Sequence, residues 1–248
     1  MLDKFNFYDL LGYLLPGGTV VLTLYWIGSL AVGVQPQPVS VDFGTSVFFL
    51  GLSYLVGQLV HNIAGIYENQ LNKGTDGERL SERLLMPGDN HVARSEGRPF
   101  SPELRERILE CARRVFGRSD NYAEVFEQCY ALTVQQSLAQ HTEIFLALNG
   151  LARSMIVASV IGVLTGACVV WIQLSLYALH VAGVSLPSAG IWTLSQHQLF
   201  IGLGALVGFA LTIPIWHRSF AHFRYYFATS VYYNFLAWYG REQKGTKP

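Results

Sequence analysis

The side chains whose spacing could support chemistry in this sequence point to recognition rather than bond making. Arg105, Arg107, Arg113, Arg114 and Arg118 crowd into one short stretch. A few guanidinium groups so placed suit a small anionic ligand, because each offers a planar fork of donors to phosphate or carboxylate oxygens. Gln58, His61 and Asn62 stand at i, i+3 and i+4, which sets three polar groups on one face of a helix. They read either as an interfacial cluster bonded to a neighbouring helix or as a polar stripe facing water. Catalytic signatures are missing: the sequence has no G-x-x-x-x-G-K, no G-x-S-x-G, no H-E-x-x-H and no C-x-x-C. His91 has no partner at ligand spacing, and the three cysteines, Cys111, Cys129 and Cys168, are too dispersed for a zinc site and odd in number for a disulfide framework. No catalytic residue, metal or cofactor is expected, and the chain is not read as an enzyme.

The elements that must position these groups are set by where charge is absent. From Leu10 to Val41 the chain runs 32 residues without Asp, Glu, Lys or Arg, and from Ser154 to His217 it runs 64. Only 14% of its 248 residues are charged, against roughly 25% in a soluble domain. Lipid is the solvent in which such blocks are favourable, and each apolar run approaches the ~20 residues that cross a hydrocarbon core. Four spans are expected: Leu11 to Gly33, Phe43 to Ile66, Ser154 to Ala178 and Leu199 to Trp216, the last two parted by the Gly- and Pro-containing turn from Gly183 to Gly190. The first run is too long for a removable signal peptide and is read as a retained span.

Orientation follows from basic residues. The stretches Val34 to Asp42 and Leu179 to Gln198 contain no Lys or Arg, whereas Tyr67 to Gly150 contains ten and His217 to Pro248 five. The positive-inside rule therefore puts both termini and the long insert in the cytoplasm. Asp42 is then the one charged side chain outside. It reads as a helix N-cap, or, if several copies surround one axis, as part of a carboxylate ring that favours cations at a pore mouth.

Ala158, Gly162 and Gly166 in the third span, and Gly204 and Gly208 in the fourth, recur every four residues. Small residues at that step let helix backbones approach closely, within one chain or between copies. No Asp or Glu lies within the span cores, so a proton-coupled transport cycle lacks its usual carboxylate.

In the insert, residues from Asn72 to Phe100 are mostly loop, with a short helix expected around Glu78 to Leu85. Ser101-Pro102 opens a helix that Gly117 closes. A further helix is expected after Ser119-Asp120-Asn121, continuing past Arg153 into the third span, unless it breaks near Asn149-Gly150. The insert holds thirteen acids against ten bases between Tyr67 and Gly150, so strong nonspecific DNA binding is not expected. From Trp216 to Tyr239, 11 of 24 residues are aromatic. These suit the headgroup level of a bilayer, or, beside Arg218, Arg224 and Arg241, stacking on nucleotide bases.

Taken together, the pattern is an all-α membrane protein with four transmembrane helices in two hairpins, a helical cytoplasmic insert and an aromatic-rich C-terminal cytoplasmic helix. The segments are 1–70, 71–150, 151–217 and 218–248. The stretch Phe7-Tyr8-Asp9-Leu10-Leu11-Gly12-Tyr13-Leu14-Leu15-Pro16-Gly17, running into the first span, resembles the start of membrane proteins from antiphage islands. The layout is similar to the four-span effectors paired with nucleotidyltransferases in CBASS-like and Hailong-like defence. That resemblance implies a homo-oligomeric channel of the bacterial inner membrane, with a tetramer the expected assembly. A nucleotide or oligonucleotide, the product of a co-encoded nucleotidyltransferase, would gate it from the cytoplasm, with the helices from Ser101 to Asn149 as gate and ligand chamber. Two other readings fit the same layout: a Kiwa-like membrane sensor of infection that signals to a cytoplasmic partner, and a non-conducting recruitment subunit.

Overall fold

A computed structural model describes residues 10–31, 42–73, 79–87, 98–117, 120–183 and 196–245. Every regular element among them is helical. A π-helical turn, Leu10–Leu14, leads into α1, Leu15–Ala31; then follow α2, Phe43–Lys73; α3, Leu80–Arg83; α4, Pro102–Phe116; α5, Tyr122–Gln135; α6, Gln140–Val181; and α7, Gln196–Gly245. Four of these stretches are long and apolar enough to cross a membrane. Phe7 to Asp9, His91, Arg118 and most of the turn expected from Gly183 to Gly190 lie outside the described residues.

The chain forms two compact units, Met1–Gly65 with Leu151–His217, and Ile66–Gly150 with Arg218–Pro248. In the first unit the usual burial order is inverted. Trp171, Phe48 and Phe200 are at least 70% exposed, while Ser53, Ser154, Ser159 and Gln173 are at most 2% exposed. Water would select the opposite arrangement, whereas lipid accepts large apolar side chains outside and drives polar groups to find partners between helices. Ser159 donates to the Thr212 hydroxyl at 2.8 Å, since the Thr212 proton is used on the Phe209 carbonyl at 2.7 Å. Gln173 Nε2 donates to Gln198 Oε1 at 2.7 Å. Each such bond links α6 to α7 and contributes roughly 0.6–2 kcal/mol.

Glycine sets the closest approaches. A β-carbon on Gly17 would overlap the Ser53 carbonyl oxygen, and one on Gly57 would overlap the Tyr13 carbonyl oxygen, so the N-terminal helical segment and α2 meet backbone to backbone. On α6, a β-carbon on Gly166 would lie 2.7 Å from Leu206 N, and one on Gly162 would overlap the Phe209 ring. The partner glycine on α7 is Gly202, packed on Val169 and Val170. Ala158 is buried with Val20 and Val60. Gly204 and Gly208 meet nothing within 4 Å in this chain, so of the two contacts expected for them, within the chain or between copies, they do not make the first.

The second unit has an ordinary apolar core. Ile108, Cys111 and Ala112 of α4, Val125, Phe126 and Cys129 of α5, and Val231, Tyr232 and Phe235 of α7 pack together around Leu80, Leu84 and Phe100. The spacings are those of one stripe on each helix. Aromatic residues of the tail therefore build this core, beside neither headgroups nor bases. Tyr232 donates to the Ser81 carbonyl at 2.8 Å, and Asn234 Nδ2 donates to the Leu138 carbonyl at 3.0 Å.

Local rules explain α4. Ser101 Oγ accepts from Leu104 N, Pro102 occupies the first helical position, and Gly117, at φ 75°, ends the helix with its N–H on the Arg113 carbonyl. The expected helix from Asn121 into the third span is instead two helices. It breaks after Gln135 and runs unbroken through Asn149-Gly150. The break is a Schellman turn: Leu138 N bonds Thr133 O at 2.9 Å, Ser137 N bonds Val134 O at 3.1 Å, and Ser137 holds φ 55° where glycine is usual.

Two outcomes follow. Gly57→Ala and Gly17→Ala should each lower stability by at least about 2 kcal/mol through forced overlap, read as thermal unfolding in detergent, while Gly28→Ala and Gly65→Ala, with open space around them, should not. Ser137→Gly should stabilise the chain by up to about 1 kcal/mol, because it removes the strain of a left-handed side-chain-bearing residue. An unchanged or lower midpoint would argue against strain at that turn.

Candidate functional site

Gln58, His61 and Asn62 do share α2, yet they turn different ways. His61 is half-buried, its ring edge-on to Tyr13 at 5.0 Å between centroids. Arg153 Nη2 lies 2.8 Å from His61 Nε2, and Ser154 Oγ lies 3.3 Å from His61 Nδ1. A guanidinium can only donate, so Nε2 accepts and the ring proton sits on Nδ1, where it donates to Ser154. His61 is thus a neutral acceptor that seats an arginine between α2 and α6. The sequence offered no sign of this pairing beyond the presence of both residues.

Gln58 and Asn62 are exposed on the outer surface of α2, beside exposed Leu55, Leu59 and Ile66. Gly51 and Gly65 fall seven residues either side of Gln58, hence on the same face, and each has open space at its β-position. Among the described residues neither amide makes a hydrogen bond. This polar, small-residue strip on an otherwise apolar surface is the most anomalous feature of the first unit. Asp42 heads the same helix as its N-cap: its Oδ1 accepts from Thr45 N at 2.8 Å and its Oδ2 from Thr45 Oγ1 at 2.8 Å.

The arginine cluster is divided by the fold. Arg105 is buried and donates to the Met86 carbonyl, tying α4 to the segment after α3. Arg113 is exposed. Arg107 and Arg114 face a cleft of about 420 Å³ in the second unit, which the last turns of α7 complete with Tyr239, Gln243 and Lys244. Arg114 pairs with Glu110 one turn back. The Tyr239 hydroxyl and the Glu110 carboxylate both push the Arg114 pKa upward, so its charge is fixed. Gln243 Nε2 donates to the Tyr239 hydroxyl at 2.7 Å. Lys244 and Tyr239 were not among the expected ligand-binding residues, because only the fold brings the end of the chain beside α4.

Cys111 lines the cleft, and Cys129 lies behind it in the core. Burial raises the Cys111 thiol pKa, with the Arg107 guanidinium the largest opposing influence. Burial pushes Cys129 up to about 12. Among the described residues no group of three His, Cys, Asp or Glu side chains could hold a metal ion.

No known protein family, curated protein or solved structure matches the chain. The resemblance to antiphage effectors therefore stands on the N-terminal residues and the layout alone.

The Cys129 thiol sets a pH dependence. Because the folded state holds its proton to about pH 12 and an unfolded thiol releases it near its ordinary value of 9.0, the unfolded chain binds fewer protons between these values. Stability should be fully present below pH 9 and fall as pH rises, by on the order of 1 kcal/mol per unit. Cys129→Ala should flatten the alkaline part of a stability-versus-pH curve followed by denaturant unfolding; an unchanged slope would show that Cys129 is not the group responsible.

Proposed function

We propose that the chain is a membrane effector of bacterial antiviral defence. It forms a homo-oligomeric ion channel in the inner membrane, gated from the cytoplasm by a nucleotide or oligonucleotide signal, and depolarises the cell when open. The defence setting and the kind of signal come from the resemblance at Phe7 to Gly17 and from the four-span layout. The oligomer and the pore are supported by the strip on α2. Two amides without hydrogen bonds would be costly against hydrocarbon, and a second copy or a water column relieves both. Glycines beside them let another helix approach.

In this reading α2 lines the conduit through Gln58 and Asn62, and Asp42, held by its cap, places a carboxylate at the outer mouth. The signal reaches the spans along helices that do not stop. Gly150 and Leu151 lie within α6, and His217 and Arg218 within α7, so both units share these two helices without an intervening loop. His61 and Arg153 are then a latch between the pore-lining helix and one that carries the signal.

The purified chain in a planar bilayer should pass cation-selective current. Gln58→Leu with Asn62→Leu should lower conductance at least tenfold. Asp42→Asn, which preserves a capping oxygen, should reduce cation preference without loss of folded protein. In a bacterial host, a membrane-potential dye should report depolarisation when the channel is open and its relief by the co-encoded partner if that partner's product closes it. A chain that stays silent in the bilayer with and without nucleotides would overturn the channel and favour a sensor or recruitment subunit.

A further inference from the structure

The cleft between α4 and the end of α7 has more positive charge than its own residues neutralise. Arg107, Arg114 and Lys244 face it, against the single carboxylate of Glu110. That carboxylate is already engaged by Arg114. Among the described residues Arg107 and Lys244 make no ion pair, which leaves two cations directed at one volume. Lys244 lies in the last turn of α7, where the helix dipole alone would favour a cation. Arg107 lies in the middle of α4, so the dipole does not account for it.

The rest of the wall is suited to a ligand that is both anionic and flat. Tyr239 presents a ring, and its hydroxyl is fixed by Gln243. Gly240 lines the cleft with nothing within 4 Å of its β-position, so it holds space open where a side chain would fill it. About 420 Å³ is the size of a small-molecule site. Guanidinium groups match phosphate oxygens in a bidentate manner, and an aromatic ring offers a nucleobase a stacking surface.

We propose that this cleft is the regulatory ligand site and binds a nucleotide phosphomonoester, free or at the end of a short oligonucleotide. Arg107 and Lys244 hold the phosphate, Arg114 is a fixed wall braced by Glu110 and Tyr239, and the Tyr239 ring lies against the base. The nucleotide class rests on the function proposed above; the need for an anion rests on the cleft itself. The ligand chamber expected between Ser101 and Asn149 is thereby narrowed to one face of α4, with the C-terminal turns of α7 as its other half.

The test is binding to the full chain in detergent, read by calorimetry and by fluorescence anisotropy. The probes are AMP, inorganic phosphate, and a thymidine tetranucleotide with and without a 5′-phosphate. AMP or the phosphorylated tetranucleotide should bind saturably, and removing the 5′-phosphate should weaken the tetranucleotide at least tenfold. Arg107→Gln and Lys244→Gln should each weaken binding at least tenfold, and Gly240→Leu should abolish it. Arg113→Gln, exposed and outside the cleft, should leave affinity within twofold. Size-exclusion profiles establish that each variant is folded.

No saturable binding of AMP or the phosphorylated tetranucleotide, or equal losses from Arg113→Gln and Arg107→Gln, would overturn the site. Inorganic phosphate binding as tightly as AMP would overturn the nucleotide assignment. Binding is read without current. Cleft-dependent binding by a chain that does not conduct removes the channel and keeps the site, and current without such binding removes the site and keeps the channel.

Discussion

Backbone contact through glycine is the constraint on which the first unit depends. Hydrocarbon solvates leucine and phenylalanine as well as a neighbouring helix does, so burial of apolar surface cannot decide which helices pair. Pairing is left to close approach and to a few hydrogen bonds. Gly17 and Gly57 remove the side chains that would hold the N-terminal helical segment and α2 apart. Gly162, Gly166 and Gly202 do the same for α6 and α7. Once these contacts are made, the positions of Ser159 against Thr212 and Gln173 against Gln198 follow from them, and His61 against Arg153 joins one pair of helices to the other. The outer surface is then free to be largely apolar, which is why the amides of Gln58 and Asn62 stand out.

The second unit obeys the opposite solvent rule. Its helices carry apolar stripes that water drives inward, and the resulting core needs no glycine at its centre. Among the described residues charge is kept at the rim except for Arg83 and Arg105, which are buried; Arg105 uses its guanidinium on a backbone carbonyl rather than on a ligand. Here the tail of α7 matters most. Tyr232 and Phe235 fill the middle of the core, and a few residues further on, the same helix supplies half of the charged cleft. One helix thus couples the packing of this unit to the cleft at its edge.

What was legible in the sequence was whatever depends on neighbours along the chain. The absence of charge marked the four apolar helices, and Ser101, Pro102 and Gly117 marked both ends of α4 because capping is settled within one turn. The break at Ser137 was not visible, since the left-handed position holds a residue that seldom adopts it and no glycine announces the turn. Gly204 and Gly208 share a helix with Gly202, but periodicity does not say which face meets a partner. The arginine cluster was found as a cluster, and the fold divides it. Arg105 turns inward and Arg113 away, and Lys244 and Tyr239 come from the far end of the chain. Separation in sequence hid them, not weakness of the chemistry.

The order in which the second unit can be completed during synthesis is fixed by its discontinuity. Its first part, residues 66–150, is made before the last two spans, and its final helical segment begins only at Arg218. Until that segment emerges from the ribosome, Ile108, Val125, Phe126 and Cys129 have no Val231, Tyr232 or Phe235 to cover them. The nascent insert therefore has to wait with an open apolar groove while two more helices are made. Loss of the segment that carries Val231, Tyr232 and Phe235 would leave not merely a shorter protein but one whose earlier-made core stays open on that side.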